Sequence, residues 1–152
     1  MPLIDDGDVV RGVGYVAIYS AYVEEAIDAL LEALEAVEPV KQSLRSAQAS
    51  KKIKAIKRRL QKLTTADFSD LLNDLETCAV LLESRHEVIH GRLYAQTRGP
   101  DMLHPGRAGR QSRPISSNEL YELANALATC RSVLRRPLVI RIRRAIRAMP
   151  TA

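Results

Sequence analysis

The sequence predicts an all-α protein, an up-and-down bundle of four to five helices. Three observations carry that prediction. Apolar residues recur at helical rather than strand spacing through most of the chain. The hydrophobic fraction is 46% but aromatics are only 4%, with one Phe and no Trp, so the core must be aliphatic. The seven Gly and seven Pro fall mostly outside the periodic stretches. A sandwich or barrel would need more aromatic and β-branched residues. At 152 residues and 16.9 kDa the chain makes one ordinary domain. We expect a single domain over residues 1–152, with its core at about 14–135, a basic loop at 96–115 and a short basic helix at 138–149.

The first helix is expected over 14–37, where Val16, Tyr19, Val23, Ile27, Leu30, Leu34 and Val37 share one face. Glu24, Glu25, Asp28, Glu32 and Glu35 lie opposite, and Pro39 ends it. The second helix, 44–63, sets Ile53, Ile56, Leu60 and Leu63 on a narrow stripe. Lys51, Lys52, Lys54, Lys57, Arg58, Arg59 and Lys62 are read as its outer surface. Such a helix suits RNA, a membrane surface or an acidic neighbouring helix, and the acidic first helix is the obvious intramolecular partner.

The third helix begins near Thr65 or Asp67, either of which can cap it. Phe68, Leu71, Leu72, Leu75, Ala79 and Leu82 form its stripe, and the period continues to about Tyr94. Residues 96–115 then break all periodicity. Three Gly, three Pro and four Arg in that stretch make a long basic loop with room for a short hairpin. Ser116 and Glu119 form a capping-box pattern that opens a fourth helix through Leu120, Leu123, Leu127, Cys130 and Leu134. Pro137 stops or kinks it, and the Arg-rich tail follows as a short helix.

Net charge is +5, strongly segmented: residues 1–40 are acidic, 41–64 are entirely basic in their charges, 65–84 are acidic, and the remainder is basic. A basic surface attracts nucleic acid or acidic partners without regard to sequence. Cys78 and Cys130 show no CxxC pattern and fall in helical stretches, so they are read as buried free thiols rather than a disulfide or metal site. No stretch approaches the ~20 apolar residues of a membrane span, and the first residues lack the pattern of a signal peptide. The expectation is a cytoplasmic protein with no membrane partner.

Chemistry concentrates in Leu82-Glu83-Ser84-Arg85-His86-Glu87-Val88-Ile89-His90-Gly91, which holds two of the three histidines. Projected from Phe68, His86 falls at the centre of the apolar stripe, His90 about 40° to one side and Arg85 about 100° to the other. Polar groups continuing a buried line must find partners. One reading is a metal site, since His86-Glu87-Val88-Ile89-His90 matches HExxH letter for letter. A zincin needs a third ligand, for which His104 is the only later His, and a strandless bundle lacks the sheet edge that holds substrate. A second reading is structural: core or interface histidines, with Arg85 tied to Glu83 or to a carboxylate of the first helix.

A third reading comes from similarity. Arg85, His86 directly after it, and His90 after four intervening residues resemble the Arg-x4-His signature of the HEPN superfamily, helical ribonucleases and toxins. The motif's place late in a long helix, before a variable loop, is also similar, as is the Tyr19-Ser20-Ala21-Tyr22-Val23-Glu24-Glu25 segment of the first helix. The resemblance implies a metal-independent endoribonuclease that dimerises to face two motifs across a composite site, with no cofactor and no metal. It implies Arg85, His90 and His86 as catalytic residues, RNA as substrate, a homodimer, and an antitoxin protein as a further partner. Glu24, Glu25 and Asp28 are acidic residues that would approach such a site. Arg98, Arg107, Arg110 and Arg113 of the loop are expected to guide RNA. The alternative is a non-catalytic helical binding or dimerisation module of the same shape.

Overall fold

The computed structural model describes residues 1–150, Arg136 by its backbone only; the last two residues of the expected domain lie outside the described residues. The chain is 62% helix, which bears out a mainly helical fold. The helices are α1 (Val9–Ala33), a single turn α2 (Gln42–Arg45), α3 (Ala49–Lys62), α4 (Ser69–His90), α5 (Ser117–Val133) and α6 (Arg136–Arg147). Between α4 and α5 lie three short strands: β1 (Arg92–Tyr94), β2 (Met102–His104) and β3 (Arg113–Pro114).

That sheet corrects the strandless bundle and falls by the basic loop, where room for a short hairpin was expected. It is antiparallel in the order β1-β2-β3, pairing Leu93 with Leu103 and Leu103 with Arg113. Each strand has two or three residues, too short for an alternating pattern to be read among glycines and prolines. Leu103 is fully buried and anchors the sheet. The third helix also stops at His90 rather than near Tyr94. At Gly91 a Cβ would meet the Glu87 carbonyl at 2.5 Å and Leu103 at 2.6 Å, so glycine is required where the chain leaves the helix beside β2.

The chain divides into two compact units, 1–21 with 80–129 and 22–79 with 130–152, whose boundaries fall inside helices. In the first, Val16, Leu82, Val88, Leu120, Tyr121 and Leu127 are buried. Gly12 lies so close to Leu120 that an added Cβ would sit 2.8 Å from it, and Tyr15 meets Tyr121 edge-on. The acidic N-terminal segment is tied to α5 by Leu3 and Asn125, which exchange two hydrogen bonds, and by Tyr121 donating to Asp6.

In the second unit the core is Val23, Ile27, Leu30, Leu34, Ile53, Ile56, Leu60, Leu71, Leu75 and Ile142. The expected pairing of the basic helix with the acidic first helix is observed at Lys52 with Asp28; its other partners are Glu76 of α4, met by Lys57, and Glu38 in the turn after α1, met by Arg58 and Lys62. Glu38 is held below the usual carboxylate range, first by its hydrogen bond from Lys62. Arg59, expected on the outer surface, is instead 1% exposed. Its guanidinium donates to the carbonyls of Glu38 and Pro39 in the turn after α1 and to that of Ala55 on its own helix.

Cys78 and Cys130 form a disulfide, which corrects the free-thiol reading. Their Cα atoms are 6.2 Å apart, within the range a bridge spans, although 52 residues separate them in sequence. Spacing along the chain carried no trace of that juxtaposition.

Local boundaries moved for local reasons. α1 starts at Val9 and α3 at Ala49, while Pro137 lies in the first turn of α6, where a missing N–H costs nothing. Asp67 rather than Thr65 bonds the start of α4, accepting from the Ser69 amide, and Thr65 donates to the Ala145 carbonyl instead. Among the described residues no helix is long and apolar enough to cross a membrane.

Candidate functional site: the C-terminal turns of the fourth helix

The line of buried residues along α4 runs Leu71, Leu75, Cys78, Leu82. Phe68 precedes the helix, so a projection anchored on it is rotated. Measured from the buried line, Arg85 and His86 lie about 50° to either side. His86 is therefore half-buried rather than central, Arg85 is equally half-buried, and His90 is exposed.

Arg85 donates through Nε to the Ser20 hydroxyl at 3.1 Å. Ser20 is wholly buried on α1 and donates in turn to the Ala17 carbonyl. The arginine is thus tied to the first helix through a hydroxyl; of the carboxylates that the structural reading offered, Glu83 pairs with Arg107 instead. Ser20 was missed at first because serine is unremarkable alone. Its signal was its position, four residues after Val16 and three before Val23 on an otherwise apolar stripe.

The His86 and His90 rings lie 4.4 Å apart between centroids, tilted by 44°. Burial pushes the His86 imidazole below its ordinary range, and the charges of Arg107, His90 and Arg85 push the same way against Glu83. His86 is accordingly a neutral imidazole at pH 7, able to accept a proton.

The loop after the helix closes over this end of α4. A Cβ at Gly106 would collide with the His90 carbonyl oxygen, so the backbone there rests directly on the last helical turn. Arg107 reaches Glu83, Arg110 meets Glu87 at 2.9 Å, and Arg113 lies 3.9 Å from Glu87 and 2.7 Å from Glu119. The Glu119 contact raises the Arg113 pKa. Ser116 does accept from the Glu119 amide, but the Glu119 carboxylate goes to Arg113 rather than closing the capping box. Three of the four loop arginines are therefore matched by carboxylates, and Arg98 is exposed without an ion pair among the described residues.

Glu87, the second letter of HEVIH, is occupied by Arg110. His104 sits on β2 with Ser112 as hydrogen-bond partner and Tyr94 edge-on. Among the described residues no group of three His, Cys, Asp or Glu is placed to hold a metal ion. Asp28 of α1 is paired with Lys52, and Glu25 lies on a groove in the second unit.

No protein-family model, no curated protein and no solved structure matches the chain. What this site does is argued from its residues.

Proposed function

We propose that the chain is a metal-independent endoribonuclease of HEPN type, active as a homodimer with a composite site and belonging to a toxin–antitoxin or phage-defence system. The observation that carries the reading is the trio at the end of α4: a guanidinium seated on a buried hydroxyl beside two imidazoles whose rings are 4.4 Å apart. In this reading His86 or His90 takes the proton from an RNA 2′-hydroxyl. The oxygen attacks the adjacent phosphorus, the bond to the 5′-oxygen breaks, and the other imidazole returns a proton to that leaving oxygen. Arg85 stabilises charge growing on the phosphoryl oxygens. The products carry a 2′,3′-cyclic phosphate and a 5′-hydroxyl.

The second reading, a non-catalytic helical binding or dimerisation module, gains support from the loop. Arg107, Arg110 and Arg113 were expected to guide RNA, yet each is spent on a carboxylate. The cytoplasmic placement, expected from the lack of a signal-peptide pattern and of a membrane-length apolar stretch, is pulled against by the Cys78–Cys130 disulfide, because cytosolic thiols are generally kept reduced.

The deciding experiment incubates the purified protein with total RNA in excess EDTA, beside an Arg85→Ala/His90→Ala variant of verified fold. Cleavage by the parent protein alone supports the nuclease. No cleavage by either puts the binding module ahead. Sedimentation of the same preparation as a strict monomer would remove the composite site.

A further inference from the structure

We propose that a groove formed by α1, the end of α5 and α6 docks an acidic, amphipathic helical segment of a partner protein. The groove lies wholly within the second unit, has a volume of about 470 Å³, and presents Arg131, Arg135 and Arg143 around Leu134, Val139 and Ile140. The inference is independent of the ribonuclease reading.

The charge pattern is the first argument. Several cations of this unit meet acids of their own chain, Lys52 with Asp28, Lys57 with Glu76, Lys62 with Glu38 and Arg141 with Asp70, while Lys41, Lys51, Lys54, Arg144 and Arg147 make no ion pair among the described residues; the groove differs in setting three such arginines around one apolar floor. Arg131, Arg135 and Arg143 make no ion pair among the described residues, and Glu25 is the one carboxylate on the lining. Arg131 instead lies over the Tyr22 ring, its Cζ 4.1 Å from the centroid. Stacking holds a guanidinium by its face and leaves its N–H edge directed outward, the geometry that receives a carboxylate.

The floor is the second argument. Ile140 is 42% exposed and Tyr22 39%, an apolar area set between the arginines rather than apart from them. A nucleic-acid backbone is met by cations and polar groups, and bases are held by stacking on open aromatic faces. Here the one aromatic ring already carries Arg131. A helix with aliphatic residues at i, i+3, i+4 and i+7 and carboxylates flanking them satisfies both the floor and the three guanidiniums.

The test measures fluorescence anisotropy of a labelled synthetic Glu/Leu peptide with its leucines on one helical face. Controls are a peptide of the same composition with its leucines dispersed, and a labelled single-stranded RNA. We expect saturable, salt-weakened binding of the amphipathic peptide and a loss of about tenfold or more with Arg135→Glu/Arg143→Glu, both exposed positions. Ile140→Ser should weaken it as well, separating the apolar floor from bulk charge attraction. Absence of saturable binding, equal binding by the charge-reversed variant, equal binding of the dispersed peptide, or preference for the RNA would each overturn the proposal.

Discussion

Within residues 22–79 and 130–152, Arg59 is 1% exposed and spends its guanidinium on three backbone carbonyls, beside a disulfide that closes a long stretch of chain. Within residues 1–21 and 80–129, Arg107, Arg110 and Arg113 are 44%, 54% and 39% exposed and hold carboxylates instead. Arg59, which also lies 3.5 Å from the Glu38 carboxylate, differs from the loop arginines in its burial and its carbonyl partners, whereas Arg45, Arg58 and Arg141 of its own unit hold carboxylates at the surface as they do. A buried guanidinium cannot leave without stranding carbonyls, whereas an exposed one trades a carboxylate for water or a phosphate at little cost. Arg59 is built into its turn, while the loop arginines keep their charged ends half in solvent around α4's last turns.

The strongest way to break that contrast is to cut the staple. Opening a loop of 52 residues by Cys78→Ser/Cys130→Ser should lower unfolding stability by about 4 kcal/mol on the chain-entropy account. Urea unfolding of the variant, and of the parent protein with and without reductant, measures it. Coincident curves would mean that the bridge constrains nothing. Arg59→Met should follow at about 2 kcal/mol, because the Glu38 and Pro39 carbonyls of a half-buried turn lose their side-chain donor. By contrast Arg110→Ala, which removes an exposed pair with Glu87, should cost less than about 1 kcal/mol in the same experiment. A cost for Arg110 matching that of Arg59 would erase the distinction.

The smallest effect is the most local. His86 is pushed below its ordinary range, so the folded chain resists a proton that the unfolded chain accepts. Stability carried by this group is present above the ordinary imidazole value of about 6.5 and lost as pH falls from there through the folded value. Imidazole proton resonances should titrate at lower pH for His86 than for a free histidine. Arg107→Ala removes one of the lowering charges and should move His86 back upward. No movement would leave burial, with the charges of His90 and Arg85, as the cause.

What the sequence made legible follows from range. Helical spacing is local, so α1, α3, α4, α5 and α6 could each be placed to within a few residues, and the arginine and histidines could be set near the end of a helix before a loop. Capping was half readable: the Ser116 hydroxyl and Glu119 amide met as the pattern implies, yet the Glu119 side chain answered to Arg113, six residues back. The three strands were hidden by brevity, and the disulfide by distance in sequence. Arg59 was misread because helical projection gives direction and not burial. A residue on the edge of a narrow stripe goes inside when a neighbouring turn offers it carbonyls. Arg85 was found, but its partner Ser20 lies 65 residues away on another helix, and only the break in that helix's apolar stripe pointed to it.

The central claim is that Arg85, His86 and His90 cleave RNA by attack of the 2′-hydroxyl. End-group analysis of RNA incubated with the protein in excess EDTA tests it most directly. The account predicts fragments with 2′,3′-cyclic phosphate and 5′-hydroxyl ends, abolished by Arg85→Ala/His90→Ala and by 2′-deoxy substitution at the cut site. Fragments ending in 3′-hydroxyl and 5′-phosphate, or cleavage undiminished in the double variant, would contradict it.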